Sequence, residues 1–177
     1  VEPRVAVNVT MDLPDVPEPA TGRIISLPEN SAPQRLNRLF LRSGRLPRQD
    51  ARGEAVIGEA FAKANGLGTG DSLAVVINGR REILDICGIG MSPEFVFEAR
   101  AGDNLPNHRQ FSVLWMNYEA LAIAYDMDGA FNDLCLDLTP GTQPQPVIEE
   151  MDRLLVPYGG FGAYTRREQA SAERLND

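Results

Sequence analysis

The chain is poor in the residues from which most active sites are built. Of its 177 residues, one is histidine, one lysine, one tryptophan and two are cysteine. His108 stands in the loop-like run Asn107-His108-Arg109, and no G-x-S-x-G elbow occurs. Ser–His or Cys–His nucleophilic catalysis therefore lacks both its usual base and its usual frame. Lys63 lies in Ala62-Lys63-Ala64, whereas a Walker A loop needs Gly-Lys-Ser/Thr to cradle phosphates, so the chain is not itself a P-loop ATPase. Long apolar runs are missing too. The continuous run Leu73–Ile77 falls far short of the roughly 20 residues of a membrane span. Basic residues number 17 against 25 acidic ones, for a net charge of −8. Such a surface repels phosphate backbones and argues against nucleic acid as a partner.

The two cysteines, Cys87 and Cys135, lie far apart, each in an apolar, strand-like run. Their spacing is not that of a zinc or redox pair. They read as small buried hydrophobes, with a disulfide left open because sequence cannot bring their Cα atoms together. The chain starts at Val1 without methionine, basic n-region or apolar h-region, and is expected to be a piece of something longer.

What is present is a set of short elements. Val5, Val7, Val9, Met11 and Leu13 alternate with Ala6, Asn8, Thr10 and Asp12, the period of a half-buried strand. From Pro14 to Pro33 repeated prolines exclude a helix and predict an extended, edge-like connection with a short strand at Arg23–Leu27. Leu36, Leu39 and Phe40 form an apolar cluster before the turn Ser43-Gly44. Ala55–Ile57 is a short apolar run, and Ala60, Phe61, Ala64 and Leu67 recur at helical spacing with Gly66 placed to stop that helix. Asn78-Gly79 between two β-rich runs predicts a two-residue hairpin joining Leu73–Ile77 to Arg81–Ile89. Further strands are expected at Phe111–Met116, Leu134–Leu138 and from Tyr164. Helices are expected around Leu121, Ala122 and Tyr125, after Thr142 as cap with a stripe of Val147, Ile148, Met151, Leu154 and Leu155, and in the tail from Arg166 to Asn176. Strands and helices without a βαβα rhythm argue for an α+β domain, and a parallel doubly wound sheet is disfavoured.

Each constellation that could carry chemistry has a plainer reading beside it. Gly66, Gly68 and Gly70 resemble a dinucleotide loop, but Asp71 stands where a further glycine is needed and a helix precedes them where a strand should; they read as turn and cap residues. Asp126, Asp128 and Asp133, with Gly129 and Asn132, gather oxygen ligands without the alternating pattern or closing Glu of an EF-hand. They read as an Asp/Asn-rich turn, with an ion site left open. Glu149 and Glu150 fit the solvated face of their helix. Phe95, Val96 and Phe97 follow Ser92-Pro93 and are either core or an exposed apolar patch, and Trp115 reads as core. No catalytic, cofactor or metal residue is assigned.

The order of motifs carries a resemblance. Leu39-Phe-Leu-Arg-Ser-Gly-Arg-Leu-Pro47, Gly53-Glu-Ala-Val-Ile-Gly-Glu-Ala-Phe-Ala62, Gly66-Leu-Gly-Thr-Gly-Asp71, Ile77-Asn-Gly-Arg80 and Ile86-Cys-Gly-Ile89 look like the extracytoplasmic, MacB-like periplasmic core domain of FtsX/MacB-type bacterial ABC transporter permeases. Ser92-Pro-Glu-Phe-Val96, Gly129-Ala-Phe-Asn-Asp133 and Tyr158-Gly-Gly160 resemble one branch of them. The resemblance implies a non-enzymatic domain on the periplasmic or extracellular side of the cytoplasmic membrane. It implies an α+β fold with a porter-like α/β subdomain from residues 1–50 and 129–177 and an inserted mixed β-rich lobe at 51–128. A strand and helix that usually precede this point would be truncated, leaving an exposed edge beside the first strand. A separate ABC ATPase domain or subunit, a dimeric membrane permease, and an accessory protein, substrate protein or lipid as partner are implied with it. The alternative kept beside it is a stand-alone module binding a lipid or hydrophobic peptide in an apolar cleft.

Overall fold

A computed structural model of the protein describes residues 1–13, 18–29, 33–95, 106–160 and 162–169. Its largest feature is a seven-stranded sheet. The strands are β2 (Ala6–Asp12), β3 (Ala20–Ser26), β4 (Phe40–Gly44), β5 (Glu54–Gly58), β6 (Ser72–Ile77), β7 (Arg80–Met91) and β8 (Phe111–Met116), ordered β4-β7-β5-β8-β3-β2-β6. Because β6 also pairs with β7, the sheet closes into a ring of β7, β5, β8, β3, β2 and β6. β7 outruns the ring, and its far end pairs with β4. The pairs β3–β8 and β5–β7 are parallel and the others antiparallel. The ring takes β2 and β3 from the first 50 residues and β5 to β8 from the lobe expected at 51–128, so the sheet spans that boundary.

The hydrophobic patterns follow from which strands are covered on one face and which on two. β2 alternates because only one face is inside: Val5, Val9, Met11 and Leu13 join the ring's core, with Ile24, Ile57, Leu73, Ile86, Leu114 and Met116. β5 and β8 are buried along nearly their whole length. Their other faces, with Ile25 of β3, form a second cluster of Val56, Val113, Trp115, Ile25 and Leu27, packed by Leu39, Leu41, Phe95 and Phe111. Helix α1 (Glu59–Asn65) contributes Phe61 and Ala62 to the ring's core. Helix α2 (Tyr118–Ala124) contributes Tyr118, Leu121 and Ala122. Gly66 caps α1 in the left-handed region at φ 66°, and the Asn78-Gly79 hairpin has positive φ at both residues, 45° and 75°, as its turn type demands.

Several expectations are corrected. The short strand expected at Arg23–Leu27 is found as β3, but it is not edge-like: it lies inside the sheet, between β2 and β8, and the flanking prolines fall outside its span. The edge expected beside the first strand is closed in part: β3 pairs with one side of β2, and β6 covers Thr10–Asp12 on the other. Phe40 opens a strand that the Ser43-Gly44 turn signal concealed. The strand expected at Leu134–Leu138 is only β9 (Asp133–Cys135), paired antiparallel with a short β1 (Glu2–Arg4) in a separate two-stranded sheet. Helix α3 (Pro144–Leu155) has Gln143, not Thr142, at its N-cap, and proline at its first position. Tyr164 starts no strand. It precedes a 3-10 turn, Arg166–Glu168, closed by a capping box with Thr165. Val96, Phe97 and most of the expected helical tail lie outside the described residues.

Candidate functional site

The small β1–β9 sheet meets the ring through a buried knot of charge. Arg4 ends β1 opposite Asp133 of β9, and its Nε donates to Asp133 Oδ1 at 2.7 Å. Its two terminal nitrogens donate to Glu94 Oε2 and Oε1 at 2.6 and 2.5 Å, a bidentate fork. Arg4 and Glu94 are each only 7% exposed. Burial alone would lower the Arg4 pKa, but the Glu94 hydrogen bonds and the charges of Glu94 and Asp133 more than reverse this, so it is raised. Arg23 of β3 donates to the other Asp133 oxygen at 3.1 Å. Asn37, held at φ 48°, donates to Glu94 at 2.9 Å. From the C-terminal segment, Gln169 and Arg166 donate to the carbonyl oxygens of Glu94 and Pro93 at 3.2 and 3.1 Å.

In this knot the carboxylates of Glu94 and Asp133 face the guanidiniums of Arg4 and Arg23, which fastens β1 and β9 to the ring. Beside it lies an open cleft of about 330 Å³ whose walls include Glu2, Pro3, Pro28, Tyr118 and Phe131.

A second ion cluster joins two of the sequence motifs, Gly44-Arg-Leu-Pro47 and Gly53-Glu54. Arg45 makes a bidentate pair with Glu54, both bonds 2.6 Å, and the Arg48 backbone N–H donates to the same carboxylate at 2.9 Å. The Gly-Arg-Leu-Pro and Gly-Glu motifs are thus two halves of one clamp that closes the loop between β4 and β5. The Arg45 hydrogen bonds hold the Glu54 pKa down at about 2, against 4.5 for a free glutamate, with burial opposing them. A depressed carboxylate pKa contributes stability that is fully present above about pH 4.5 and lost as pH falls through 2. Glu54→Gln should therefore lower the urea midpoint at pH 6 by the equivalent of about 1–3 kcal/mol. The gap to wild type should narrow steadily between pH 4.5 and pH 2; a gap independent of pH would mean that the pair is not formed.

The residues singled out from sequence are scattered. His108 is exposed in a turn, and Lys63 is exposed and pairs with Glu59 at 2.7 Å. Asp71 Oδ2 accepts from the Gly68 N–H at 2.7 Å, which makes Gly66 to Asp71 a turn joining α1 to β6. Asp126 and Asp128 are exposed, while Asp133 is committed to Arg4 and Arg23. Among the described residues no three His, Cys, Asp or Glu side chains gather as a metal site. Both cysteines are free thiols. Cys87 lies 3.3 Å from the Ala55 carbonyl oxygen and Cys135 accepts a long contact from Asn37. Burial pushes both thiols up to about 11. Trp115 and Phe95 belong to the second core cluster, and Glu149 and Glu150 are exposed on α3.

Arg4 and Glu94 escaped the sequence reading. Arg4 merely precedes the alternating strand, and Glu94 sits in what reads as an apolar stretch. Ninety positions separate them, and no local pattern encodes that.

No protein-family pattern matches the chain, and no curated protein matches it significantly. Solved structures do. The chain is similar to the extracellular domain of the noncanonic ABC-type transporter YknZ from Gram-positive bacteria, with a TM-score of 0.53 at 14% identity over 92% of this chain and 78% of that one. A domain described as part of a permease protein from Porphyromonas gingivalis aligns at 13% identity over 88% of this chain and 65% of its own, with a TM-score of 0.40. At that score it adds nothing to the first. The chain thus has the fold of an ABC-type transporter's extracellular domain.

Proposed function

We propose that this chain is the extracytoplasmic domain of a bacterial ABC transporter permease of the FtsX/MacB type. The observation that carries the reading is the fold shared with an extracellular transporter domain over 92% of the chain. The ordered motifs support it, because the clamp of Arg45 and Glu54 gives the family-like Gly-Arg-Leu-Pro and Gly-Glu pieces a joint structural purpose.

In this reading the domain stands outside the cytoplasmic membrane and supplies no catalytic residue. Transmembrane helices elsewhere in the protein connect it to a separate ABC ATPase domain or subunit. Hydrolysis on the cytoplasmic side is coupled through it to substrate export or release, or to engagement of an accessory protein or lipid, in a dimeric permease. Among the described residues no helix is long and apolar enough to cross a membrane, so the spans required by this role lie outside the described part.

The test uses the full-length protein in its own cells. It should sediment with membranes, this domain should be cut by protease added outside spheroplasts, and an ABC ATPase should co-purify from detergent. Recovery in the soluble fraction would sink the reading. A stoichiometric lipid or hydrophobic peptide in the mass spectrum of that soluble protein would identify a stand-alone binding module instead.

A further inference from the structure

No described residue after Met127 belongs to either apolar cluster. Asp133 of β9 and the stretch Arg166–Gln169 nevertheless lie against the ring side, and what joins them there is polar. Arg4 forks onto Glu94, and Asp133 accepts from Arg23. The Asn132 side chain mimics a strand, accepting from the Ala6 N–H at 2.7 Å and donating to the Ala6 carbonyl at 3.0 Å. One Glu2 oxygen accepts from the Arg35 and Leu36 N–H groups at 2.9 and 3.0 Å. β1 belongs with β9, its described strand partner.

Two points tie β1 and β9 to the ring. Val5, fully buried between β1 and β2, exchanges hydrogen bonds with Ser26 of β3 at 2.9 and 2.8 Å. The turn after α2 is pinned by the Tyr118 hydroxyl, which lies 3.1 and 2.9 Å from the Met127 and Ala130 carbonyl oxygens.

An interface of this composition separates more readily than an apolar one. Parting apolar faces re-exposes surface at a cost that grows with area. Parted charges regain their hydration, and for a buried ion pair that regain comes close to offsetting the attraction lost. Polar joints within a chain are accordingly where relative motion is expected.

We infer that the Arg4–Glu94 pair, seconded by Arg23–Asp133, is a latch that holds a movable arm of β1 and β9 against the ring. The arm swings as a unit about Val5 and the Met127–Ala130 turn while the ring stays folded. The inference stands on the fold and does not depend on the transporter role.

Residue-resolved amide exchange of the purified chain tests it. The reporters are the N–H groups of Ala6, Arg35 and Leu36, which bond across the joint. In wild type these should exchange faster than amides of β5 and β8. Glu94→Gln, which keeps the shape and removes the charge, should speed them about tenfold or more while β5 and β8 stay within about twofold. Arg23→Gln, on a half-exposed side chain, should do the same by a smaller factor. Arm and ring losing protection together, a Glu94→Gln chain that does not fold, or reporters that do not move in either variant would each overturn the latch.

Discussion

Trp115→Ala should remove about 3–5 kcal/mol of stability, the range for truncating a buried large aromatic. Trp115 is 1% exposed and stands on β8, which lies between β3 and β5. Its neighbours in the second cluster, Ile25, Val56 and Val113, are fixed on paired strands. Strands held by ladders on both sides cannot close over the space, so most of the cavity should persist and the loss should fall high in the range. For a chain of this size each kcal/mol lowers the melting temperature by roughly 2–4 °C, so circular dichroism melts will show the drop plainly. A loss below about 1 kcal/mol would contradict the burial of this ring.

Gly44→Ala should be comparably damaging, though it adds a single methyl group. Gly44 has φ +74°, and a Cβ there would lie 2.3 Å from the Cys87 carbonyl oxygen and 2.8 Å from Gly88 Cα. Both are backbone atoms of β7, which cannot yield without unpairing β4. The left-handed conformation costs an alanine about 1–2 kcal/mol, and the collision should bring the total above about 3 kcal/mol. Gly66→Ala supplies the control. Its φ of +66° is nearly the same, but beyond its own chain neighbours nothing lies within 4 Å of the added carbon, so about 1–2 kcal/mol is expected. Equal losses in urea titrations of the two variants would show that the close pairing of Gly44 with Gly88 at the end of β4 does not exist.

The parts of this fold that could be read from sequence are those determined locally. The alternation from Val5 to Leu13, the Asn78-Gly79 turn, Gly66 as helix stop and the apolar runs of β5 and β8 each express a backbone geometry or a burial pattern spanning a few residues. Where the reading failed, a distant partner decides the outcome. The strand around Arg23 is legible, but its proline-rich flanks suggest an edge, and two neighbouring strands make it interior. β1 and β9 are too short to signal themselves and exist through each other. The apolar stripe of α3 predicts a helix correctly but says nothing about placement, and no α3 residue is buried. The candidate site was the least legible part, because its fork joins residues 4 and 94 and its second carboxylate comes from residue 133.

The ring also sets an order of assembly. The β6–β7 hairpin needs only the chain around Asn78 and can form in microseconds. The ring itself cannot close until Phe111–Met116 arrives to lie beside Thr21–Ser26, a parallel pairing between distant stretches of the kind that makes folding slow. As the chain emerges from the ribosome, β2, β3, β5 and β6 are made before the strand that completes their circle. Until then their open edges are sticky. Any truncation before Met116 should leave those edges open for good.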